Sequence, residues 1–341
     1  MGEMTPKKRA LLCLTGNKQK ADRVSCCPVL TTATVEQMMA VKAPFPEVHW
    51  DVKLAYRLAE AAWTIIGLEG FKLPFDVVLE AEALGCKLKK GTIDRQPAVE
   101  APAFNDLKEL KVPEKIMEMG RFPVKHRVEE KLRREYGDFL PIVNQSCGPF
   151  QIAGEIFGIE RLCIWTKKRK KEELHEVFMA LADINIADAR EALRSGADII
   201  CITEAMATSD ILSPQFFKEM LVPVYKYITS KISAPTVLHI CGNATSYLPY
   251  IPETGFDAFS VDVHVNIALA KQILGNKVAV VGNIDTIKAL LFGTPQIVKK
   301  AVADAISMGV DVVNPSCGVS PRTPTENFRA LVEATKCMIY V

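Results

Sequence analysis

Short apolar runs alternate with longer amphipathic stretches along most of the chain. Runs at 24–30, 70–76, 140–144, 198–203, 236–241, 258–263, 278–281 and 310–313 read as strands, because they are brief, β-branched and bounded by turn residues. Helical spacing fills most of the gaps. It covers 6–14, 35–40, 51–66, 80–84, 124–136, 173–195, 214–232, 247–253, 295–308 and 325–337. In the 51–66 stretch Leu54, Ala55, Leu58, Ala62 and Ile65 form the apolar face. Residues 86–100 are mixed in character, and 102–122 form an interrupted excursion. Strands alternating with helices predict an α/β chain, a single (β/α)8 TIM barrel over 1–341 with N-terminal helical additions. An open doubly wound sheet is the structural alternative.

Polar residues gather at the C-terminal ends of the expected strands: Glu204, His239, Cys241, Asp262, Asn283, Asp285 and Cys317. Barrels of this kind place their chemistry on that face. In Thr236-Val237-Leu238-His239-Ile240-Cys241-Gly242-Asn243, His239 and Cys241 are two apart on a strand and so share a face. Imidazole nitrogen and thiolate sulfur together make half of a tetrahedral zinc site. Cys317, in Asn314-Pro315-Ser316-Cys317-Gly318 after another apolar run, offers a third ligand. A core histidine beside a buried cysteine is the plainer account of an isolated His-x-Cys. The second cysteine in a matching context favours metal, and three protein ligands leave a catalytic zinc one open position.

Composition removes other classes. The 341 residues are 49% apolar and 24% charged, enough for a sizeable core, and the net charge of +2 gives no support for nucleic-acid binding. No apolar run approaches the roughly 18 residues needed to span a bilayer, so no membrane partner is expected. Ten scattered cysteines suit a reducing cytoplasm better than a disulfide framework. Neither a Gly-x-Gly-x-x-Gly after a strand nor a Walker-type loop is present, so no nucleotide cofactor is indicated.

The stretches Thr236–Gly242, Val280-Val281-Gly282-Asn283-Ile284, Asn314–Gly318, Thr323-Pro324-Thr325-Glu326-Asn327 and Arg95-Gln96-Pro97 give the chain a family likeness. Along nearly its full length it resembles the uroporphyrinogen decarboxylase superfamily, and within it the methylcobamide:coenzyme M methyltransferases of methanogenic archaea. The resemblance implies a TIM barrel with His239, Cys241 and Cys317 as zinc ligands. It also implies transfer of a methyl group from a methyl-corrinoid partner protein, which supplies the methylcobamide, to the thiol of coenzyme M (2-mercaptoethanesulfonate). Decarboxylase members carry an Arg-rich N-terminal motif, whereas this chain reads Val24-Ser25-Cys26-Cys27-Pro28-Val29-Leu30 with no Arg beyond Arg23. A decarboxylase on the same barrel, or a methyltransferase using another thiol, are the alternatives. Asp76 falls where those decarboxylases keep an essential aspartate, and reads as a residue of the mouth or as a structural hydrogen-bonding group.

Thiols are mostly protonated at neutral pH, and the thiolate is the nucleophile. Zinc deprotonates a coordinated thiol outright, so a zinc with one imidazole and two thiolates suits methyl transfer to sulfur. Arg95 and loop N–H groups are the candidates for an anionic tail on that thiol, and Arg95, Asp76 and Asn283 are the candidates for cofactor binding. Ser260, Asp262 and His264 alternate on the next strand, so Asp262 is expected to occupy or orient the fourth zinc position at rest.

Overall fold

Seven of the eight expected strands join in one parallel sheet. The computed structural model describes residues 4–337, so the outermost residues of the expected 1–341 domain lie outside it. Among the described residues the strands are β1 (Phe71–Leu73), β2 (Lys87–Lys89), β3 (Ala98–Ala101), β4 (Ile142–Cys147), β5 (Ile199–Glu204), β6 (Thr236–Ile240), β7 (Ala258–Val261), β8 (Ala279–Ile284) and β9 (Val312–Pro315). The large sheet runs β1-β4-β5-β6-β7-β8-β9, every pair parallel. β2 and β3 form a separate antiparallel hairpin inside the mixed 86–100 stretch.

The expected strand at 24–30 needs correction. It contributes only a bridge, Ser25 opposite Val312, with the Val313 N–H donating to the Ser25 carbonyl at 2.9 Å. Beyond it, Pro28 has no N–H to give a ladder. The Cys27 and Leu30 N–H groups are met by side chains instead, Ser25 Oγ and Asn314 Oδ1. On its other side the segment touches the residue chain leading into β1, where the Glu69 N–H donates to the Cys26 carbonyl. It therefore stands between the two sheet edges, in the place of an eighth stave.

Alternation along the strands sorts the core into two layers. Outward residues such as Ile200, Ile202, Leu238, Ile240, Phe259 and Val280 pack against the helices in the larger apolar cluster. Inward residues near the strand starts, including Val143, Ile199, Cys201, Val237, Ala258, Ala279 and Val312, form a smaller cluster with Ala10, Cys13 and Leu14. The helix Pro6–Leu14, capped by Thr5, thus closes the floor of the barrel. Higher up, the inward positions turn polar: Gln145, Thr203, His239, Ser260 and Asn314, all buried.

The longest helix, Lys171–Arg194, has neither Gly nor Pro inside, and buries Leu174, Val177, Phe178 and Leu181 on one face. Two helices, Pro149–Phe157 and Ile159–Lys168, follow β4 where no helix was expected. All nine residues of the first are buried. Its N-terminus is held by Glu204, whose carboxylate accepts the Phe150 and Gln151 N–H groups and the Tyr225 hydroxyl. Ile267–Leu274 is a further helix not expected from the pattern. The expected 214–232 helix is real but includes a wider turn over Phe217–Leu221, and 247–253 belongs to a 3₁₀ stretch, Thr245–Thr254.

Candidate metal centre

β6 is five buried residues, Thr236 to Ile240, and His239 lies directly opposite Ser260 of β7 in the register. The His239 Nδ1 lies 3.2 Å from both the Ser260 carbonyl and the Ser260 hydroxyl. A carbonyl can only accept, so Nδ1 carries the proton and donates. Nε2 then keeps its lone pair, and it sits 3.2 Å from the Cys241 sulfur. Burial pushes the His239 pKa down to about 4, so the ring is neutral at pH 7. A neutral imidazole fixed through its other nitrogen is the state a metal ion takes.

Cys241 follows β6 and leads into Gly242, whose φ of +73° is left-handed. A Cβ there would also come within 3.0 Å of the Thr208 hydroxyl. Glycine thus lets the chain turn sharply just after the cysteine. Cys317 lies two residues past the end of β9. Its Cα is 6.5 Å from that of Cys241, and the two sulfurs lie directly against each other. Ligand atoms of His239, Cys241 and Cys317 all fall within 4.8 Å of one another. Tetrahedral zinc with bonds of about 2.0–2.3 Å spaces its donors inside that limit. One nitrogen and two sulfurs are also the soft donor set that zinc takes. The residues present fit the ion.

Asp262 follows β7 and is nearly buried, but its carboxylate stands outside that donor group. Its Oδ1 accepts from the His264 backbone N–H at 3.2 Å and pairs with the exposed His264 ring at 2.6 Å. Asp262 is close enough for its charge to act on His239. Asn283 braces the same loop, donating from Nδ2 to the Asp262 and Val265 carbonyls at 3.1 and 2.9 Å. Gly282 before it permits the close approach of β8 to β7, since a Cβ there would lie 2.7 Å from the Val261 carbonyl oxygen.

Asp76 and Arg95 sit elsewhere. Asp76 is buried under Arg121, which reaches it at 2.5 and 3.1 Å, and His49, whose Nδ1 is 2.8 Å away. The Arg121 guanidinium and the His49 ring hold its pKa far below the usual carboxylate range against the opposing effect of burial. Every Asp76 oxygen is thus engaged within the scaffold. Arg95 is exposed on a turn where its backbone pairs with Thr92, and its side chain has no hydrogen bond among the described residues. Its neighbour Gln96 donates to the Thr32 hydroxyl at 3.0 Å, which ties this turn to the loop after the Ser25 segment.

Residues 5–338 match the family described as uroporphyrinogen decarboxylase (URO-D). The chain belongs to the uroporphyrinogen decarboxylase family. Within it, the chain is 36% identical over 336 residues to a methylated-thiol–coenzyme M methyltransferase of Methanosarcina mazei, covering 98% of this chain and 90% of that protein. It is 34% identical over 337 residues to the methylcobamide:CoM methyltransferase MtaA of Methanosarcina barkeri, covering 98% of both. A solved methyltransferase from Methanosarcina mazei superposes with a TM-score of 0.94 at 33% identity, covering 98% of this chain and 99% of that one.

Two further residues are only weakly marked in the sequence. Ser260, the acceptor for His239, was legible only as part of a polar alternation. Lys72 is marked only by being a lysine in the apolar run Phe71-Lys72-Leu73-Pro74-Phe75.

Proposed function

We propose that this chain is a zinc-dependent methyltransferase. It moves a methyl group from a methylated corrinoid protein to the thiol of coenzyme M, in methanogenesis from methylated compounds. The observation that carries the reading is the convergence of His239, Cys241 and Cys317 donor atoms at the ends of β6 and β9. The names of relatives matched over nearly the whole chain support the substrates. The absence of an arginine cluster in Val24–Leu30 argues against the decarboxylation for which the family is named.

Zinc, held by His239, Cys241 and Cys317, would keep a bound thiol as its nucleophilic thiolate at neutral pH. The chain's own residues prepare the site. Ser260 fixes the His239 tautomer so that Nε2 points to the ligand cluster. Asn283 steadies the loop that carries Asp262, and Asp262 adds negative charge beside His239. We assign Asp262 the role of orienting the fourth position. The thiol proton leaves to solvent on binding. The thiolate sulfur then attacks the methyl carbon in line, the new S–C bond forms, and the cobalt of the partner departs with the electron pair of the Co–C bond. The mouth of the barrel, on the face where β6 to β9 end, is where a corrinoid protein would dock.

Residues 1–341 act as one domain in this reading, and a reducing cytoplasm keeps Cys241 and Cys317 available as thiols. No helix among the described residues is long and apolar enough to cross a membrane. The test is formation of methyl-coenzyme M from methylcobalamin and coenzyme M by the purified chain, followed by the visible spectrum of the corrinoid. Demethylation that depends on both coenzyme M and His239 supports the reading. Equal rates for wild type and His239→Ala contradict it.

A further inference from the structure

The barrel interior holds a buried cation that the chemistry above does not use. Lys72 is 7% exposed, at the centre of β1. Phe71 and Leu73 belong to the outer core cluster, so Lys72 points the other way, into the barrel. The inward-facing Cys201 is among the groups that act on it. Its Nζ has one partner, the Thr31 carbonyl at 3.1 Å. Among the described residues no carboxylate lies within ion-pairing distance of it. The Asp76 carboxylate nearby is already engaged by Arg121 and His49.

Register fixes its height relative to the metal ligands. Going one way around the barrel, His239 pairs with Thr203 and Thr203 with Cys147. With Val143 opposite Lys72, this route arrives at Asp76 when extended along the chain. Going the other way, His239 leads through Ser260, Val281 and Val312 to Ser25, and the Cys26–Glu69 contact brings this route to the chain just before Glu69. The two arrivals differ by about the eight-residue shear of such barrels, which tilts the strands evenly. The point on β1 level with His239 therefore lies between them, at Lys72 or Leu73. By register, Lys72 therefore stands at about the height of His239 on the opposite wall of the barrel.

A lone buried ammonium is costly unless an anion meets it. Burial lowers its pKa to about 8, so it stays mostly protonated at neutral pH. We propose that Lys72 binds the sulfonate tail of the thiol substrate and so sets the preference for an anionic thiol. The inference rests on the methyltransferase reading for the identity of that substrate. A thiol headed toward His239, Cys241 and Cys317 then carries its tail across the barrel to the opposite wall. Thr31, which holds Nζ, belongs to the loop tied through Thr32 to Gln96, so the tail would be enclosed beneath the mouth.

Three probes separate tail from thiol: 2-mercaptoethanesulfonate, 2-mercaptoethanol and ethanesulfonate, with binding measured by calorimetry on the zinc-loaded chain. Wild type should bind 2-mercaptoethanesulfonate roughly 10–100-fold more tightly than 2-mercaptoethanol, the range of a charge-assisted hydrogen bond. Lys72→Gln keeps a donor for the Thr31 carbonyl but no charge, and should erase that preference with zinc content and 2-mercaptoethanol binding unchanged. Lys72→Arg should retain it, and Lys72→Met replaces Lys72→Gln should the latter not fold. Equal affinity of wild type for the two thiols, or a preference that survives Lys72→Gln, overturns the proposal and leaves the methyltransferase reading intact. If neither thiol binds, the methyltransferase reading fails, and ethanesulfonate decides the anion site alone. Binding to wild type that disappears in Lys72→Gln supports it, and equal or absent binding in both overturns it.

Discussion

Asp76 offers the sharpest contrast between a scaffold role and a role at the mouth. Its carboxylate accepts from Arg121 Nη1 and Nη2, from His49 Nδ1 and from the Val78 N–H, all in the interior. Asp76→Asn keeps the shape and removes the charge, leaving Arg121 with only Glu82 and His49 with no anion. Breaking a buried ion pair on one side costs about 3–5 kcal/mol. For a chain longer than about 250 residues each kcal/mol moves Tm by roughly 2 °C. The expected result is therefore a Tm drop of about 6–10 °C, read by calorimetry, with zinc content unchanged. Removing Arg121 as well, in Asp76→Asn/Arg121→Met, should recover part of the loss, because an uncompensated buried cation is worse than none. A Tm within about 2 °C of wild type, together with lost methyl transfer, would refute the scaffold argument and return Asp76 to the mouth.

Other consequences follow from particular groups. His126, between Glu129 and Asp188, has its pKa raised to about 9 by these carboxylates against the effect of burial. A raised folded-state pKa gives stability that is complete below about pH 6.5 and lost as pH rises through about 9, at most about 3 kcal/mol. Denaturant midpoints between pH 6 and 10 should fall in wild type and be flatter in His126→Gln. Coenzyme M binding near pH 7 should release about one proton, since the free thiol is protonated there. Calorimetry in buffers of different ionisation enthalpy measures it, and a buffer-independent enthalpy contradicts thiolate binding. Gly242→Ala puts a Cβ in a left-handed position, at a cost of roughly 1–2 kcal/mol, and 3.0 Å from Thr208 Oγ1. It should lower both Tm and zinc retention, and unchanged zinc retention would show that the turn does not position Cys241.

Much of this architecture is legible in the chain because its information is local. Buried parallel strands are short continuous apolar runs, and Thr236–Ile240 carries His239 at a position whose face follows from alternation alone. The convergence of Cys317 on that strand end follows from parallel order, since both residues lie at C-terminal ends. Other features depend on long-range partners. The Ser25 segment has strand-like composition, but Pro28 and the side chains of Ser25 and Asn314 divert its hydrogen bonds. Pro149–Phe157 is buried on every side, and its polar pair, Gln151 and Glu155, is turned inward and bonded to itself, so no solvent-facing stripe marks a helical period. Asp76 reads as a candidate for chemistry until its partner Arg121, 45 positions away, is in view. Lys72 stands out as a lysine in an apolar run, but what it faces is legible only once the barrel closes around it.

Methyl transfer by this chain requires a metal held by His239, Cys241 and Cys317. X-ray absorption at the zinc edge, with metal analysis after dialysis, tests that directly. It should find about one zinc per chain with two sulfurs and nitrogen or oxygen in the remaining positions. A third sulfur should appear on saturation with coenzyme M, and zinc should be lost from Cys241→Ser/Cys317→Ser. Full zinc occupancy in that double variant, or a first shell without sulfur in wild type, would contradict the account.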